Sequence, residues 1–379
     1  MLMIIGFDAK RAVQNSTGLG NYSRYVIDVL LRSCSENSYK LYAPKEKRNA
    51  KLFGILQGRE NVAMCYPLSY VMRKLSSLWR LWFVCDDLKR DGVQIYHGLS
   101  NELPLCIGKC KGLRSVVTVH DLIFRKLPHC YNFIDRHIYD FKFRRACENA
   151  DVVVAVSECT KRDIVKEYNI SPDKIKVIYQ GCDDIFRERC SGAQLEVVRD
   201  KYSLPRRFIL SVGSIEERKN ALAIVKAMAE LPEELSLVLV GRRTAYSKRL
   251  KRYAADAGLS GRVHVLHNVE HADLPAVYQM SETFVYPSFY EGFGIPVLEA
   301  LVSGVPVVAA SGSCLEETGG AGSLYVSPYD VHALAEAIKS TFDKATRESM
   351  VSAGLEHARK FESDRVGQAL RELYESLLV

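Results

Sequence analysis

Two glutamates separated by seven residues frame the most distinctive chemical segment of the chain. The segment EGFGIPVLE runs from Glu291 to Glu299. Its glycines, Gly292 and Gly294, free the backbone just before Pro296, a residue that favours the first turn of a helix. The N–H groups at a helix start bind anions or hydroxyls, and carboxylates accept hydrogen bonds from pairs of hydroxyls. The segment therefore predicts a site for sugar hydroxyls or an anion.

A pair of adjacent cations follows an earlier apolar run. Phe208–Val212 is followed by Gly213, and Arg218 and Lys219 stand a few residues further on, where a helix is expected to begin. Arginine offers a bidentate fork and lysine a point charge, and together they suit a diphosphate. The alternative is a charged run that is merely solvated.

Two more segments place polar or flexible residues where strands are expected to end. Gly18 and Gly20 lie in NSTGLGN, which lacks the third glycine and the downstream acid of a dinucleotide fingerprint. His120 ends the run SVVTVH, where it could contact a substrate. A plain turn is the alternative for the glycines, and a buried histidine bonded to backbone is the alternative for His120.

Short β-rich apolar runs alternate with helical patterns through both halves of the chain. Strands apolar on both faces belong to parallel sheets covered by helices, so two doubly wound α/β domains are expected. The predicted strands are residues 2–6, 38–42, 93–97, 115–120, 151–157 and 174–179, then 208–213, 236–241, 262–266, 283–286, 305–309 and 323–326.

The polar stretch 180–204 lacks a strand pattern and contains turn residues, so the boundary is expected there. The predicted N-terminal domain is residues 1–185, joined by a C-terminal helix at 362–379, and the predicted C-terminal domain is residues 186–361. A chain of 379 residues is long enough for two such cores.

Composition narrows the class of protein. The net charge of +7 suits phosphate-rich substrates or an anionic membrane surface and does not imply nucleic acid. No signal peptide and no stretch of ~20 apolar residues is apparent. The eleven scattered cysteines are interpreted as free thiols in a reducing cytoplasm.

At the Glu291–Glu299 segment the chain resembles family 4 of the retaining glycosyltransferases, whose GT-B fold has two Rossmann-like domains facing a cleft. The resemblance covers nearly the whole chain. Besides the E-x7-E element it rests on the Gly18/Gly20 loop, His120-Asp121, Val156-Ser157-Glu158, Arg218-Lys219-Asn220, Tyr286-Pro287-Ser288 and the run GVPVVA at 304–309.

The resemblance implies roles in binding a nucleotide-sugar donor. Arg218 and Lys219 would bind the phosphates beside Gly213, and Glu299 would bind the ribose hydroxyls. Glu291, with the backbone of Phe293 and Gly294, would hold the transferred sugar.

On the acceptor side, His120 would contact the transferred sugar and the Gly18–Gly20 loop would close over it. The run HGLSNELP at 97–104 is similar to mannosyltransferase-like members, which makes GDP-mannose the first expectation and a UDP-sugar the second. Asn101 and Glu102 would then lie near the acceptor, a glycan or a lipid-linked sugar.

Two departures from the family pattern concern donor recognition. Ser214 stands where many members have arginine, a charge that Arg218 would replace. His267-Asn268 stands where the family usually has glycine, which leaves recognition of the base open.

A basic amphipathic stretch at residues 72–83 contains Trp79 and Trp82 and suits the surface of an anionic bilayer. A core helix is the alternative for this stretch. The enzyme is expected in the cytoplasm, with a peripheral position at the cytoplasmic face of the inner membrane if this stretch binds lipid.

The expected reaction is metal-independent hexosyl transfer with retention and without cofactor. Neither Asp86-Asp87 nor Asp183-Asp184 stands in a metal-binding context at a strand end. Attack from the face of the leaving group is favoured over a covalent sugar on Glu291. A nucleotide-sugar epimerase and a non-catalytic nucleotide-sugar-binding scaffold are the alternative functions.

Overall fold

The computed structural model describes residues 2–378, so residues 1 and 379, both assigned to the predicted N-terminal domain, lie outside it. The chain divides into two compact units. Unit 1 comprises Met1–Gln180 with Glu362–Val379, and unit 2 comprises Gly181–Phe361. The division thus falls after Gln180, inside the polar stretch, whereas the sequence pattern places it after residue 185.

Unit 1 is built on a seven-stranded sheet in the order β3-β2-β1-β4-β5-β6-β7. Every neighbouring pair is parallel. The strands are β1 Ile4–Asp8, β2 Ser38–Tyr42, β3 Val62–Cys65, β4 Ile95–Gly98, β5 Arg114–Val119, β6 Val152–Ala155 and β7 Ile175–Val177. The order reverses between β1 and β4, and polar residues follow both of these strands.

The helices of unit 1 connect these strands. They are α1 Lys10–Gln14, α2 Gly18–Ser33, α3 Ala50–Leu56, α4 Tyr70–Lys74, α5 Ser76–Leu78, a π-helix Trp79–Phe83, α6 Val84–Arg90, α7 Ile123–Lys126, α8 Phe133–Asn149 and α9 Glu158–Tyr168. Polar side chains fix several starts: Ser157 Oγ, for example, accepts a hydrogen bond from Thr160 N at the start of α9.

Unit 2 has a six-stranded parallel sheet in the order β10-β9-β8-β11-β12-β13. Its strands are β8 Phe208–Val212, β9 Ser236–Val240, β10 Val263–Leu266, β11 Thr283–Tyr286, β12 Val307–Ala310 and β13 Leu324–Val326. The helices are α10 Gly192–Tyr202, α11 Ala221–Ala227, α12 Ala245–Asp256, α13 Leu274–Gln279, α14 Ile295–Val302, α15 Leu315–Gly319, α16 Val331–Ser340 and α17 Lys344–Ala358. Here the strand order reverses between β8 and β11.

Helix α18, Ser363–Leu378, belongs to unit 1 although it follows all of unit 2 in the chain. It packs on α2, where a Cβ added to Gly367 would lie 2.6 Å from Ser33 Oγ. Its apolar stripe contains the buried residues Val366, Leu370 and Tyr374. The stripe follows the 3.6-residue helical period.

The predicted fold class is confirmed: two doubly wound parallel sheets are covered by helices. Strands such as β9 and β12 are buried along their whole length, as their unbroken apolar sequences indicate. The short strand β3 is an addition that the sequence pattern did not predict. None of its four residues is fully buried, and Ala63 is exposed, which explains the weak signal.

The interpretation of all eleven cysteines as free thiols is wrong for one pair. Cys85 on α6 and Cys106 form a disulfide across 21 residues of sequence. The backbone brings the two segments together, since Leu105 N donates to Leu81 O at 2.8 Å. Sequence spacing cannot show such a pairing, because it depends on how the helix and the loop after β4 pack.

Candidate functional site

The predicted phosphate-binding residues lie just beyond the carboxyl end of β8. Gly213 ends this strand with a φ of 151°, and its N–H donates to Val240 O. Arg218 and Lys219 then occupy a 3-10 turn, Glu217–Lys219, immediately before α11. Ligands in doubly wound sheets bind where the strand order reverses, and β8 borders that point.

Asn220 holds this turn in place. Its backbone is left-handed, with a φ of 55°, a conformation that asparagine tolerates better than most residues. Its amide Nδ2 donates to Pro287 O at 3.2 Å and to Pro328 O at 2.7 Å. The sequence pattern included Asn220 in the motif, but its anchoring role appears only in the structure.

Three of the predicted residues come together in unit 2. The Lys219 ammonium contacts the Glu291 carboxylate directly and donates to Tyr286 Oη at 2.6 Å. Arg218 Nη1 lies 3.4 Å from both carboxylate oxygens of Glu291. Ser288 Oγ donates to Glu291 Oε1 at 2.5 Å. The turn after β8 and the loop after β11 thus form one cationic and anionic cluster.

Burial and charge act in opposite directions on this cluster. Burial raises the pKa of Glu291, but the charges of Lys219 and Arg218 and the hydrogen bonds outweigh it, so the pKa lies below its ordinary value. Burial also lowers the pKa of Lys219, and Glu291 opposes that shift. The low pKa of Glu291 keeps its carboxylate ionised near neutral pH, so the cluster presents an acceptor beside two cations.

The glycine before α14 has a left-handed backbone. Gly294 is the N-cap residue with a φ of 97°, and Pro296 lies in the first turn. A Cβ at Gly294 would lie 2.6 Å from Leu315 Cδ2. The lack of room for a side chain and the positive φ therefore both favour glycine. Phe293 is buried and packs edge-on against Phe361 at 5.4 Å, while its carbonyl accepts from Thr318.

Glu299 lies in the second turn of α14 and is only partly buried. Its Oε2 accepts from Tyr278 Oη at 2.8 Å. Tyr278 is fully buried, so it fixes the orientation of this carboxylate. Sequence reasoning missed Tyr278, because tyrosine in an apolar helix gives no signal of its own.

The residues that depart from the family pattern also follow strands of this sheet. His267 Nδ1 is 2.7 Å from Gly241 O, and Asn268 has a φ of 70°. Asn268 can occupy the left-handed region where the family usually has glycine, because asparagine is among the residues enriched there.

In unit 1, His120 follows β5 and is only 7% exposed. The ring Nε2 of His120 lies 3.0 Å from Leu99 O, and the ring contacts Tyr22 edge-on at 4.5 Å. The backbone N–H of His120 donates to Asn101 Oδ1 at 2.7 Å. Burial lowers the pKa of His120 to about 4, so the ring is neutral at pH 7. These are the contacts of a buried histidine bonded to backbone; contact with a sugar stays a prediction.

The two predicted acceptor residues have internal partners. Asn101 has a left-handed backbone, with a φ of 62°, and donates its N–H to Thr118 O. The Glu102 carboxylate pairs with Arg80 at 2.6 Å and Lys142 at 3.4 Å. Burial alone would raise the pKa of Glu102, but the two cations outweigh burial and lower the pKa to about 2. Acceptor binding by this pair also stays a prediction.

Asp8, at the end of β1, completes this buried ionic cluster. Arg80 contacts Asp8 and Glu102 together, so it joins the end of β1 to the loop after β4. Sequence reasoning missed Asp8 and treated Arg80 as part of an amphipathic surface. The residues are 72 apart in sequence, and nothing local marks the pair.

The two glycines at the start of α2 differ in their surroundings. A Cβ at Gly20 would lie 2.0 Å from Asn15 O, whereas a Cβ at Gly18 would meet nothing within 4 Å. Arg24 ties the loop to the helix by donating to Ala12 O and Asn15 O. Gly20 is therefore required by close backbone approach, and Gly18 is not.

Metal ligands were not expected. Among residues 2–378, one group of side chains could converge on an ion: Glu230, His332 and Glu336, all exposed. These residues are not among the predicted site residues.

Both Asp-Asp pairs of the sequence have a member with a protein partner. In Asp183-Asp184, Asp183 lies 2.9 Å from His271 Nε2, and in Asp86-Asp87, Asp87 accepts from Trp79 Nε1 at 2.7 Å.

The architecture defines the class of protein. Over 100% of this chain and 99% of the other, it is similar to a glycosyltransferase from Rickettsia africae, with a TM-score of 0.78 and 19% identity. It is also similar to Anabaena HepE in complex with UDP and glucose, with a TM-score of 0.75 and 18% identity over 99% of this chain and 100% of the other. The fold is that of the GT-B glycosyltransferases.

The sequence comparisons identify the family. The model described as "Glycosyltransferase Family 4" matches residues 38–185, and that described as "Glycosyl transferases group 1" matches residues 198–357. The O-antigen chain mannosyltransferase B of Escherichia coli is 34% identical over 274 residues, which is 70% of this chain and 70% of that protein. The chain belongs to glycosyltransferase family 4, in its mannosyltransferase-like branch, and is a glycosyltransferase of the hexosyltransferase type.

A second relative supports the same branch. The O-antigen chain mannosyltransferase RfbU of Salmonella typhimurium is 30% identical over 224 residues, 59% of this chain and 60% of that protein. Within residues 2–378, no helix combines the length and apolar character that crossing a membrane requires.

Proposed function

We propose that this enzyme transfers mannose from GDP-mannose to a glycan or lipid-linked acceptor in polysaccharide biosynthesis, with retention of configuration and without a metal. The observation that carries the proposal is the cluster of Arg218, Lys219 and Glu291 where the strand order of unit 2 reverses. Mannose is supported by the names of the relatives, both O-antigen mannosyltransferases.

The cluster suits the charge that develops during transfer. As the bond between the anomeric carbon and the diphosphate oxygen breaks, negative charge grows on the diphosphate. Arg218 and Lys219 supply fixed positive charge for it, which a preorganised site does without solvent reorganisation. Glu291, ionised and held by Ser288, accepts hydrogen bonds from the hydroxyls of the sugar.

Retention follows if the acceptor attacks from the face of the leaving group. The acceptor hydroxyl oxygen bonds to the anomeric carbon, and its proton passes to the departing phosphate oxygen. Retaining glycosidases instead use two carboxyl groups about 5 Å apart, one as nucleophile. Glu291 is held between two cations, which lowers its nucleophilicity, so we favour same-face attack. A covalent sugar trapped on Glu291 would contradict this mechanism.

In the rest of the donor site, Glu299 binds the ribose hydroxyls and the Gly213 and Gly294 backbones approach the ligand. In unit 1, His120 contacts the transferred sugar. The proposed location is the cytoplasm, at the cytoplasmic face of the inner membrane.

A thermal-shift screen against GDP, UDP, ADP and their sugars tests the donor. A ligand at ~100 times its Kd stabilises by roughly 2.7 kcal/mol, which is readily visible. We expect GDP and GDP-mannose to give the largest shift and Arg218→Ala to abolish it. Arg206 is exposed and precedes the amino-terminal end of β8. Arg206→Ala is therefore the matched control and should keep the shift.

A UDP-sugar is the second candidate donor, since HepE, which shares the fold, was solved with UDP and glucose. A larger shift with UDP would identify a UDP-sugar, rather than GDP-mannose, as the donor.

Loss of activity with a chelator, restored by manganese, would contradict metal independence. An NMR assay that finds an epimerised donor without transfer would identify an epimerase, and binding without turnover in the presence of acceptor extracts would identify a scaffold.

A further inference from the structure

Helix α12 of unit 2 and the loop before it carry a high density of positive charge. Residues 241–252 contain six basic residues and no Asp or Glu, whereas the net charge of the whole chain is only +7. All six are exposed, and together they are called the basic surface. They are Arg242, Arg243, Lys248, Arg249, Lys251 and Arg252.

Neighbouring carboxylates neutralise little of this charge. Arg249 Nη1 lies 3.5 Å from Glu217 Oε1. Among residues 2–378, the other five cations of the basic surface form no ion pair and no side-chain hydrogen bond. Such uncompensated charges produce a field that extends about 8–10 Å into solvent at physiological ionic strength. The basic surface therefore presents a positive potential to approaching anions.

The loop before α12 packs on the loop that leads to the cationic turn Glu217–Lys219. A Cβ added to Gly241 would overlap Gly213 O, so the loops after β8 and β9 are in close backbone contact. Thr244 Oγ1, at the N-cap of α12, donates to Ile215 O. Together with the ion pair between α12 and the turn, these contacts place the start of α12 beside the proposed phosphate site.

The far end of the basic surface is still close enough to act on a ligand at that site. Arg252 lies seven residues after Ala245, the first residue of α12, which corresponds to roughly 10 Å along the helix axis. This length is about one screening length in dilute salt. The segments 213–219 and 241–252 together contain eight basic side chains and two carboxylates, so the field around the turn is strongly positive.

We propose that the basic surface captures the nucleotide-diphosphate donor and steers it to the turn Glu217–Lys219, which raises the rate of donor association. A surface of one sign beside a binding site increases association rates by about 10- to 1,000-fold, and the gain falls with ionic strength. The donor is favoured over other anions because this surface borders the proposed phosphate site. The inference rests on the proposed function in taking a nucleotide diphosphate as the ligand, but not on the identity of the base or the sugar.

Steering acts on one rate constant selectively. Exposed charges at the edge of a binding site change the association rate and its salt dependence, whereas close contacts with the bound ligand set the dissociation rate. Lys248 and Arg252 are therefore expected to act before the donor is bound. The transfer step, which depends on Arg218, Lys219 and Glu291, should keep its kcat at saturating donor when the basic surface is altered.

Stopped-flow binding of fluorescent nucleotides measures the association rate constant. The full-length enzyme is mixed with N-methylanthraniloyl GDP or N-methylanthraniloyl UDP at about 20 mM and about 500 mM NaCl. We expect the association rate constant of the wild type to fall about tenfold or more at the higher salt concentration. Lys248→Glu combined with Arg252→Glu should lower it about fivefold or more at the lower salt concentration, with little change in the dissociation rate constant.

Arg206→Glu combined with Lys344→Glu is the matched control. Arg206 precedes the amino-terminal end of β8, and Lys344 lies three residues before Arg347, which donates to Glu282 O just before β11. Both replaced residues are exposed, so the control makes the same change in net charge at the opposite edge of the sheet. We expect its association rate constant to stay within about twofold of the wild-type value, because the added charges are screened over that distance.

A neutral variant checks that the effect comes from charge rather than from damage to α12. Lys248→Gln combined with Arg252→Gln should give an intermediate association rate constant, since it removes the two positive charges without adding negative ones. In both helix variants the difference from the wild type should disappear at high salt. A loss that persists at high salt, or that appears in the dissociation rate constant, would overturn steering.

Two outcomes separate steering from the donor assignment itself. If the wild type binds neither nucleotide at either salt concentration, both proposals are wrong. If Arg218→Ala abolishes nucleotide binding but the glutamate variant of α12 associates as fast as the control does, the donor site stands and steering alone is overturned.

Discussion

The pair formed by the buried Glu291 and the partly buried Lys219 is the best-defined chemical feature of the molecule. Glu291 is 7% exposed and accepts from Ser288, while the Lys219 ammonium also contacts Tyr286 Oη. Desolvating two charges is costly, and hydrophobic replacements of such pairs are often at least as stable. The presence of both charges at the end of a strand is therefore better explained by function than by stability.

Glu291→Gln should separate binding from turnover. Glutamine keeps the shape and one acceptor oxygen but removes the charge beside Lys219 and Arg218. We expect kcat to fall by roughly 10²-fold or more, with a smaller change in nucleotide affinity. Steady-state kinetics and nucleotide titration measure the two effects. The exposed Glu233→Gln is the control, and near-normal turnover in Glu291→Gln would contradict the assigned role.

Two buried histidines make the stability of unit 1 depend on pH. Burial lowers the pKa of His97 to about 3 and that of His120 to about 4. Both rings are neutral in the folded state at pH 7, whereas the unfolded chain binds their protons below about 6.5. The stabilisation is therefore complete above pH 6.5 and is lost as the pH falls towards the folded pKa values.

Urea unfolding from pH 7.5 to 4.5 measures this effect. Between pH 6.5 and 4.5, His120 alone should account for a loss on the order of 2–3 kcal/mol. In His120→Gln the free energy of unfolding should start lower and fall less steeply with pH. An equal slope in the variant would show that this histidine does not remain neutral in the folded state.

At the scale of elements, the glycine loop before α2 offers a matched pair of substitutions. Gly20→Ala places a methyl group 2.0 Å from Asn15 O, so the loop or the start of the helix must move. Gly18→Ala adds the same group in open space. We expect Gly20→Ala to destabilise unit 1 by about 1–3 kcal/mol and Gly18→Ala to change stability by less than ~0.5 kcal/mol.

Thermal unfolding of the two variants checks this prediction, with activity as a second measurement. Equal effects of both substitutions would mean that the close approach to Asn15 does not constrain the loop. Loss of activity in Gly18→Ala without loss of stability would instead indicate a ligand contact at Gly18.

Elements that are apolar along their whole length could be predicted from sequence. Strand β12, and β9 after its first residue, appear as continuous apolar runs because they are buried on both faces. The Glu291–Glu299 segment was recognisable because its glycines, proline and carboxylates fall within nine consecutive residues. Such signals are local, so a single sequence carries them.

Features that depend on long-range contacts could not be predicted. Arg80 lies 72 residues from Asp8, and Cys85 lies 21 residues from its partner Cys106. The outward apolar side of α8 was also missed, since a helix with apolar residues on two sides has no clear amphipathic period. In each case the tertiary fold, rather than the local pattern, decides which residue is covered.

At the scale of the whole molecule, α18 connects the end of the described chain to unit 1. Its Tyr374 Oη lies 2.7 Å from His97 Nδ1, and Leu370 is fully buried. The chain therefore passes between the units twice, after Gln180 and after Phe361.

Leu370→Ala should destabilise unit 1 even though the residue lies beyond unit 2 in sequence. We expect a loss of about 2–5 kcal/mol, as for other buried leucines. Leu355→Ala, at a 36%-exposed position on α17, is the control and should cost under ~1 kcal/mol. Denaturant unfolding with limited proteolysis assigns the loss to a unit; a loss confined to unit 2 would contradict the packing of α18.

The return of α18 also sets the order of events on the ribosome. Segments up to residue 180 emerge first, but the side of α2 that receives Gly367 stays uncovered until unit 2 has been synthesised. Domains usually fold in the order in which they are made. Here unit 1 begins to appear before unit 2 but is completed after it, so nascent chains that stall within unit 2 would expose this apolar side to chaperones and proteases.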